Sequence, residues 1–315
     1  MNESVLITGG AGFIGSHLAA ACRSRGLAVR VLDDLSSGHA GNLTGLDVDF
    51  RRGSILSPTD LAGAMRGVDT VFHLAAFVSV AASMEQPEAC AELNTLGTLR
   101  VLRAAEDAGV GRLVFASSAA VYGDDPVIPK REELAPDPRS PYAQTKLDGE
   151  FYCGLFHRRG RLTTACARFF NVFGPRQDPA SGYAAAVPRF ICRALAGDDL
   201  VIYGDGTQTR DFVAASDIAS GLLHLASRRE LSGPFNLGHG IATPIGELAR
   251  EILRLTGSRS GIRHAPAREG EIRHSVAAVD RIRNTGWSPS APLPEALAST
   301  VEWYRAEASR SVSPR

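Results

Sequence analysis

Tyr142 and Lys146 stand four residues apart in the segment Pro141-Tyr142-Ala143-Gln144-Thr145-Lys146. On a helix that spacing places both side chains on one face. An ammonium beside a phenol favours the phenolate and lowers a pKa that is ordinarily about 10. A phenolate near neutral pH is a general base for an alcohol proton. A second hydroxyl for the same work comes from Leu113-Val114-Phe115-Ala116-Ser117-Ser118, an apolar run that ends in two serines. Ser118 is the expected partner, with Ser117 as the neighbouring alternative. The segment Gly9-Gly10-Ala11-Gly12-Phe13-Ile14-Gly15 has a different chemistry. Between a strand and a helix, its glycines allow a tight turn, a close approach of backbone to a diphosphate, and close packing of helix on strand. The spacing is GxxGxxG, and N–H groups at the helix start, Phe13 and Ile14 among them, favour an anion. Asp33 follows 18 residues after Gly15. A carboxylate there accepts the ribose hydroxyls of adenosine and repels a 2′-phosphate, which points to NAD over NADP. Asp34 is the second candidate.

These groups need elements that bring them together. Short β-branched runs alternate with helical patterns through the first half of the chain. Strands are expected at Ser4–Thr8, Ala28–Leu32, Val48–Arg51, Thr70–Leu74, Arg112–Ala116 and Thr163–Phe170, and helices at Ile14–Arg25, Pro58–Met65, Pro87–Ala108 and Tyr142–His157. Such alternation implies an α/β fold, a Rossmann-type doubly wound parallel sheet whose strand ends face a ligand crevice. After a Gly- and Pro-rich stretch, Phe173–Tyr183, shorter helical patterns follow at Val187–Ala196, Asp217–Ala226 and Ile245–Leu255. They suggest a smaller, mixed α/β C-terminal substrate lobe. The expected division is 1–170 plus about 211–237 for the cofactor domain, and 171–210 with 238–315 for the lobe. The tail from Ala308 is expected to fray.

Composition narrows the partners. The chain has 315 residues with 34 basic and 34 acidic side chains, so no broad charge draws it to nucleic acid or to an anionic membrane. No apolar stretch reaches the roughly 18 residues of a membrane span. Five cysteines without a CxxC pair read as reduced thiols in a cytoplasmic protein. The eight histidines are scattered, and no metal site is expected.

The motifs together resemble the extended short-chain dehydrogenase/reductase family, in particular its nucleotide-sugar 4-epimerases. They are TGGAGFIG from Thr8, VLDDLSSG from Val31, HLAA from His73, SSAAVYG from Ser117, PYAQTK from Pro141, RFFNVFGPRQDP from Arg168, GDGTQTRDFV from Gly204 and REGEIRHS from Arg268. The resemblance covers nearly the whole chain and is most like UDP-glucose and UDP-N-acetylglucosamine 4-epimerases. It implies resident NAD and a UDP-sugar substrate. Tyr142 would take the proton of the sugar 4-hydroxyl, Ser118 would share that hydrogen bond, and Lys146 would hold the nicotinamide ribose. Epimerisation would pass through a 4-keto sugar with transient hydride transfer to NAD.

The remaining site residues are implied by the same resemblance. Ser37 and Gly38, Ser54 and Ile55, and Leu74, Ala75 and Ala76 would line the cofactor with Gly9, Gly12, Phe13, Ile14 and Gly15. Asn171, Val187, Tyr203, Arg210, Arg268 and Glu271 would hold the nucleotide, the two arginines on its diphosphate. Ser79 would face the sugar, with Ser83 on the same loop. Ser275 stands at the position proposed as a gate, where serine leaves room for an N-acetyl group and a bulky tyrosine would not. Departures are Ser54 for an aspartate, Ala82 for an arginine, and Ala214-Ala215 for a bulkier pair. Ala119 and Ala120 occupy the places where related dehydratases and decarboxylases carry acids, and alanine transfers no proton. A homodimer is implied, pairing the helices Pro87–Ala108 and Tyr142–His157 of two copies.

Overall fold

The structure is a computed structural model that describes residues 3–179, 185–267 and 272–312. Its frame is a parallel sheet of seven strands in the spatial order Gly233–Leu237, Thr163–Phe169, Arg112–Ser118, Thr70–His73, Ser4–Thr8, Ala28–Asp33, Asp49–Arg52. The order reverses at Ser4–Thr8. That strand pairs with Ala28–Asp33 on one side and Thr70–His73 on the other, with Thr8 opposite both Leu32 and His73. A crevice opens at such a reversal, beyond the carboxyl ends of the strands.

Alternate residues of each strand supply two cores. Val5, Ile7 and Val31 pack with the helices Phe13–Ser24 and Ala215–Ser227 through Leu18 and Leu222. Leu6, Leu32 and Phe115 point the other way, onto Pro58–Met65, Gly97–Asp107 and Pro141–Arg158, where Met65, Leu102 and Cys153 meet them. Coverage of both faces explains why Val5-Leu6-Ile7 is apolar without interruption. A third core lies in the second half and joins Ile191, Leu200, Ile202, Leu248, Ile252 and Leu297.

Several elements depart from the sequence-based expectation. The helix expected over Pro87–Ala108 is three pieces: Pro87–Ala91, a π-helical turn Glu92–Leu96, and Gly97–Asp107. The π turn carries the buried Asn94. The seventh strand, Gly233–Leu237, was hidden by its Gly-Pro start. Its place at the sheet edge, paired among the described residues only with Thr163–Phe169, is where a strand tolerates proline. The last described element is a 20-residue helix, Leu293–Val312, which continues past Ala308, where fraying was expected; 313–315 lie outside the described residues. Leu297, Val301 and Tyr304 anchor it on the third core, a tertiary contact that sequence near the terminus does not announce. The five cysteines are all free thiols, four of them buried. Among the described residues no helix is long and apolar enough to cross a membrane.

Candidate active site

The glycine loop sits at the strand reversal. Gly9 has φ +72°, and a Cβ there would fall 2.6 Å from the Ala75 nitrogen. A Cβ on Gly15 would fall 2.2 Å from the Gly9 carbonyl oxygen, so the helix reaches the strand only without one. Gly12 differs. Its Cβ would meet only the Gly9 oxygen, at 3.2 Å, so packing alone does not demand glycine there. Gly12 lines a cavity of about 460 Å³ and is the N-cap of Phe13–Ser24, a helix start with no side-chain cap. Uncapped N–H groups beside a bare Cα fit a diphosphate.

Asp33 ends its strand buried at 7% exposure. Its Oδ2 accepts the N–H of Ala11 at 2.9 Å, and its Oδ1 accepts the N–H of Leu35 at 2.9 Å. The carboxylate thus ties the glycine loop to the turn after the second strand, an intrachain role the sequence did not show. Burial raises its pKa, against the pull of those two N–H groups. Each oxygen keeps a further lone pair for a ribose hydroxyl.

Pro141–Arg158 carries the tyrosine and the lysine. Ser140 caps it by accepting the Ala143 N–H at 3.1 Å, and Pro141 occupies the first position, where no N–H is needed. The Lys146 ammonium donates to the Ala116 carbonyl at 2.8 Å and lies 5.7 Å from the centre of the Tyr142 ring. Ser118 ends its strand, and its Oγ accepts the Ala120 N–H at 3.2 Å. Here the expected electrostatics need correcting. Burial is the largest influence on Tyr142 and raises its phenol above the ordinary value; the hydrogen bond with Ser118 lowers it, and Cys90 raises it further. Burial also brings Lys146 down to about 8, with Cys90 acting upward. The protein alone therefore favours the protonated phenol.

The 460 Å³ cavity gathers most of the expected cofactor residues: Gly9, Gly12, Phe13, Ile14, Gly15, Asp33, Asp34, Ser37, Ile55, Leu74, Ala75, Ala76, Tyr142 and Lys146 all line it, together with Ser118. Gly38 and Ser54 are not on its wall. A Cβ on Gly38 would lie 3.0 Å from Asp33 Oδ1, and Ser54 Oγ accepts the Leu56 N–H at 3.2 Å. A second cavity, of about 410 Å³, is lined by Asn171, Val187, Tyr203 and Arg210. The two cavities share Phe170, Val172 and Ala185. Ser275 pairs in register with Arg210 at the edge of that second site. Ser79 caps the short helix Val80–Glu85 through the Ala82 N–H at 3.0 Å. Arg268 and Glu271 lie outside the described residues.

Residues that sequence reasoning did not single out complete the wall. Phe169, Phe170 and Gln177 line the cofactor cavity. His73, which the HLAA motif did mark, is not on that wall; its two ring nitrogens join Thr8 at 2.8 Å to Thr98 at 2.9 Å. Burial, then the nearby Lys146 charge, lowers its pKa to about 3, so the imidazole is neutral. The RFFN and HLAA motifs were visible as motifs, but which of their side chains face a ligand depends on strand pleat and register. Among the described residues no cluster of three His, Cys, Asp or Glu could hold a metal ion.

Residues 5–238 match the sequence profile of the NAD dependent epimerase/dehydratase family. The chain is 37% identical over 308 residues to UDP-glucose 4-epimerase of Mycolicibacterium smegmatis, covering 95% of this chain and 98% of that one. Among solved structures it is similar to the UDP-N-acetylglucosamine 4-epimerase from Methanobrevibacter ruminantium in complex with UDP-N-acetylmuramic acid, at a TM-score of 0.93 and 34% identity over 97% of this chain and 99% of that one. It is also similar to the Thermus thermophilus UDP-glucose 4-epimerase complex with NAD, at a TM-score of 0.89 and 35% identity over 96% and 99% of the two chains. The glycine cradle, the acid at the second strand end and these similarities agree: the chain is an NAD-dependent enzyme of the NAD dependent epimerase/dehydratase family, within the extended short-chain dehydrogenases/reductases.

Proposed function

We propose that this chain interconverts the carbon-4 epimers of a UDP-hexose, UDP-glucose and UDP-galactose, with room for their N-acetylated forms. One observation carries the reading: Ser118, Tyr142 and Lys146 line the cofactor cavity, which shares walls with a second cavity bearing Arg210. Residues 1–170 with about 211–237 serve the cofactor in this reading, and 171–210 with 238–315 serve the nucleotide sugar.

NAD, when bound, supplies the reversible hydride acceptor that a 4-keto route needs. Gly12 and the helix start behind it would hold its diphosphate, Asp33 its adenosine ribose, and Lys146 its nicotinamide ribose. The chain's own groups do the rest. Tyr142, drawn toward its phenolate by the positive charge that oxidised NAD would add when bound, accepts the proton of the 4-hydroxyl and returns it after the sugar has turned. Ser118 shares that hydrogen bond. Arg210 holds the diphosphate as a pivot, so that the sugar turns without leaving. Ser275 leaves space beside the sugar for an acetamido group. Ala119 and Ala120, in the turn after Ser118, transfer no proton, which disfavours elimination or decarboxylation.

Purified protein given UDP-galactose or UDP-N-acetylgalactosamine, with products followed by NMR, tests the reading. Conversion to the gluco epimers is expected. NADH accumulation, loss of water, or no conversion of either sugar with NAD bound would favour a reductase, a dehydratase or a silent relative. Tyr142→Phe is expected to lower kcat by about 10³-fold, within the range of general acid–base catalysis. An unchanged kcat would refute the role given to the phenol. We further propose a cytoplasmic homodimer formed through Gly97–Asp107 and Pro141–Arg158. Phe151 on the second helix is 61% exposed, a large aromatic that the chain itself leaves mostly uncovered. Sedimentation of wild type against Phe151→Glu reads this directly.

A further inference from the structure

The first turn of the catalytic helix leaves N–H groups that no helical carbonyl can satisfy. Of the first four helical residues, 141 to 144, three are accounted for locally. Pro141 has no N–H, Ser140 Oγ accepts from Ala143 at 3.1 Å, and the Ser140 carbonyl accepts from Gln144 at 3.0 Å. The remaining donor is the N–H of Tyr142 itself. It donates to Ser83 Oγ at 3.2 Å, and that hydroxyl donates to the Val80 carbonyl at 2.6 Å. Ser83 is 0% exposed, so this hydroxyl meets the tyrosine backbone and not a ligand.

The other backbone group of Tyr142 leads back to the same segment. Its carbonyl accepts from Thr145 Oγ1 at 2.8 Å. Thr145 Oγ1 accepts from Asn94 Nδ2 at 3.0 Å. Asn94 also accepts the Phe77 N–H at 2.7 Å and donates to the Phe77 carbonyl at 3.0 Å. Asn94 stands in the π turn, whose extra residue per turn is a device found at functional sites. Next to Phe77, Val78 lines the cofactor cavity, and Ser79 opens the short helix that holds Ser83.

We propose that Ser83 is a positioning residue that sets Tyr142 against its substrate and couples the 77–85 segment at the cavity mouth to the tyrosine's backbone. The proposal rests on the epimerase reading for its rate effect, but its structural half stands apart from that reading. Ser83 contributes nothing to sugar affinity. Its removal leaves the Tyr142 N–H buried without an acceptor, and the first turn shifts to find one. A displacement of about 1 Å at a reacting group can cost about 100-fold in rate.

The test uses the full chain loaded with NAD. Ser83→Ala is compared with wild type in two measurements. Steady-state kinetics with UDP-galactose should show kcat lower by about tenfold or more, with KM changed less than about twofold. Ultraviolet difference titration of the phenol, with Tyr142→Phe as the blank, should show the Tyr142 midpoint about half a unit higher as alignment with Ser118 is lost. Unchanged kcat and midpoint would overturn the proposal, as would a raised KM at unchanged kcat, which would make Ser83 a substrate contact. Should wild type fail to epimerise any UDP-hexose, the epimerase reading falls while the titration still decides on Ser83. If Ser83→Ala does not fold, Ser83→Cys keeps a weaker acceptor of similar size. A midpoint raised above the wild-type value is then expected, and a wild-type midpoint would refute the coupling.

Discussion

The two cavities of this molecule are built by different means. The cofactor side is held by backbone: seven parallel strands, a glycine loop, and one helix start. Its residues arrive in short contiguous motifs. The side proposed for the nucleotide sugar rests on strands of two to four residues, Leu200–Tyr203, Thr209–Arg210, Thr243–Pro244 and His274–Ser275. Strands that short cannot hold themselves, and a buried carboxylate takes over. Asp211, 0% exposed, accepts N–H groups from His239 at 2.7 Å, Gly240 at 2.8 Å and Ala277 at 3.0 Å. Asp217 does the same for Ser290 and Ala291 at 3.0 and 3.1 Å. Where a site is made from local backbone geometry, a motif encodes it. Where it is made from distant strands, a single side chain must replace the sheet.

The largest expected effect falls on that replacement. Asp211→Ala leaves three N–H groups without their acceptor and should cost about 4 kcal/mol of stability, at roughly 1–3 kcal/mol for each buried group left unmade. Affinity for UDP should fall while bound NAD, measured by absorbance after denaturation, is retained. Loss of NAD together with UDP would break the contrast between the two sides.

Lys146→Met sharpens the contrast from the cofactor side. With a folded pKa of about 8 against about 10.5 for the free group, the folded state binds fewer protons between these values. Wild-type stability from this residue therefore rises with pH across about 8 to 10.5, and below about 8 the fold carries a burden on the order of 3 kcal/mol from the buried ammonium. Methionine removes that burden. The variant should be more stable at pH 7, its advantage fading above about pH 8, and it should lose epimerisation. Chemical denaturation at pH 7 and pH 9.5 reads the sign; an equal or reversed difference at the two values would refute it.

Gly15→Ala is smaller on the same scale, about 2 kcal/mol, an overpacking cost for a Cβ set against the Gly9 carbonyl. NAD should be lost while UDP binding, followed by calorimetry, survives. Asp33→Asn comes last. It leaves one oxygen to accept the Ala11 or Leu35 N–H and removes the charge, so discrimination against NADP should relax by about tenfold, roughly 1.4 kcal/mol. Competition between the two dinucleotides measures it.

Most of the cofactor side was legible because its physics is local. Ser4–Thr8 and Pro58–Met65 stand where the apolar pattern placed them, and Gly9 and Gly15 mark positions where a Cβ cannot fit. The π turn at Glu92–Leu96 was not legible, because one extra residue in a single turn shifts the apolar stripe too little to stand out from an ordinary helical pattern. Asp211 was read as part of the GDGTQTRDFV motif without a role. Its partners lie 28 to 66 residues away, beyond the reach of any spacing argument.

Residue types and their order alone determined that a dinucleotide loop, an acid at the second strand end, and a Ser-Tyr-Lys set belong to one parallel fold. They did so because glycine tolerance, apolar alternation and a four-residue helical spacing are properties of neighbouring residues. Only the tertiary structure decided how those groups are held. It gave Asp33 the glycine loop as a partner, made burial rather than Lys146 the main influence on the Tyr142 phenol, and set Ser83 against the tyrosine's backbone. Each depends on which surfaces exclude water and which segments meet across the fold, and neither is a property of the chain's local order.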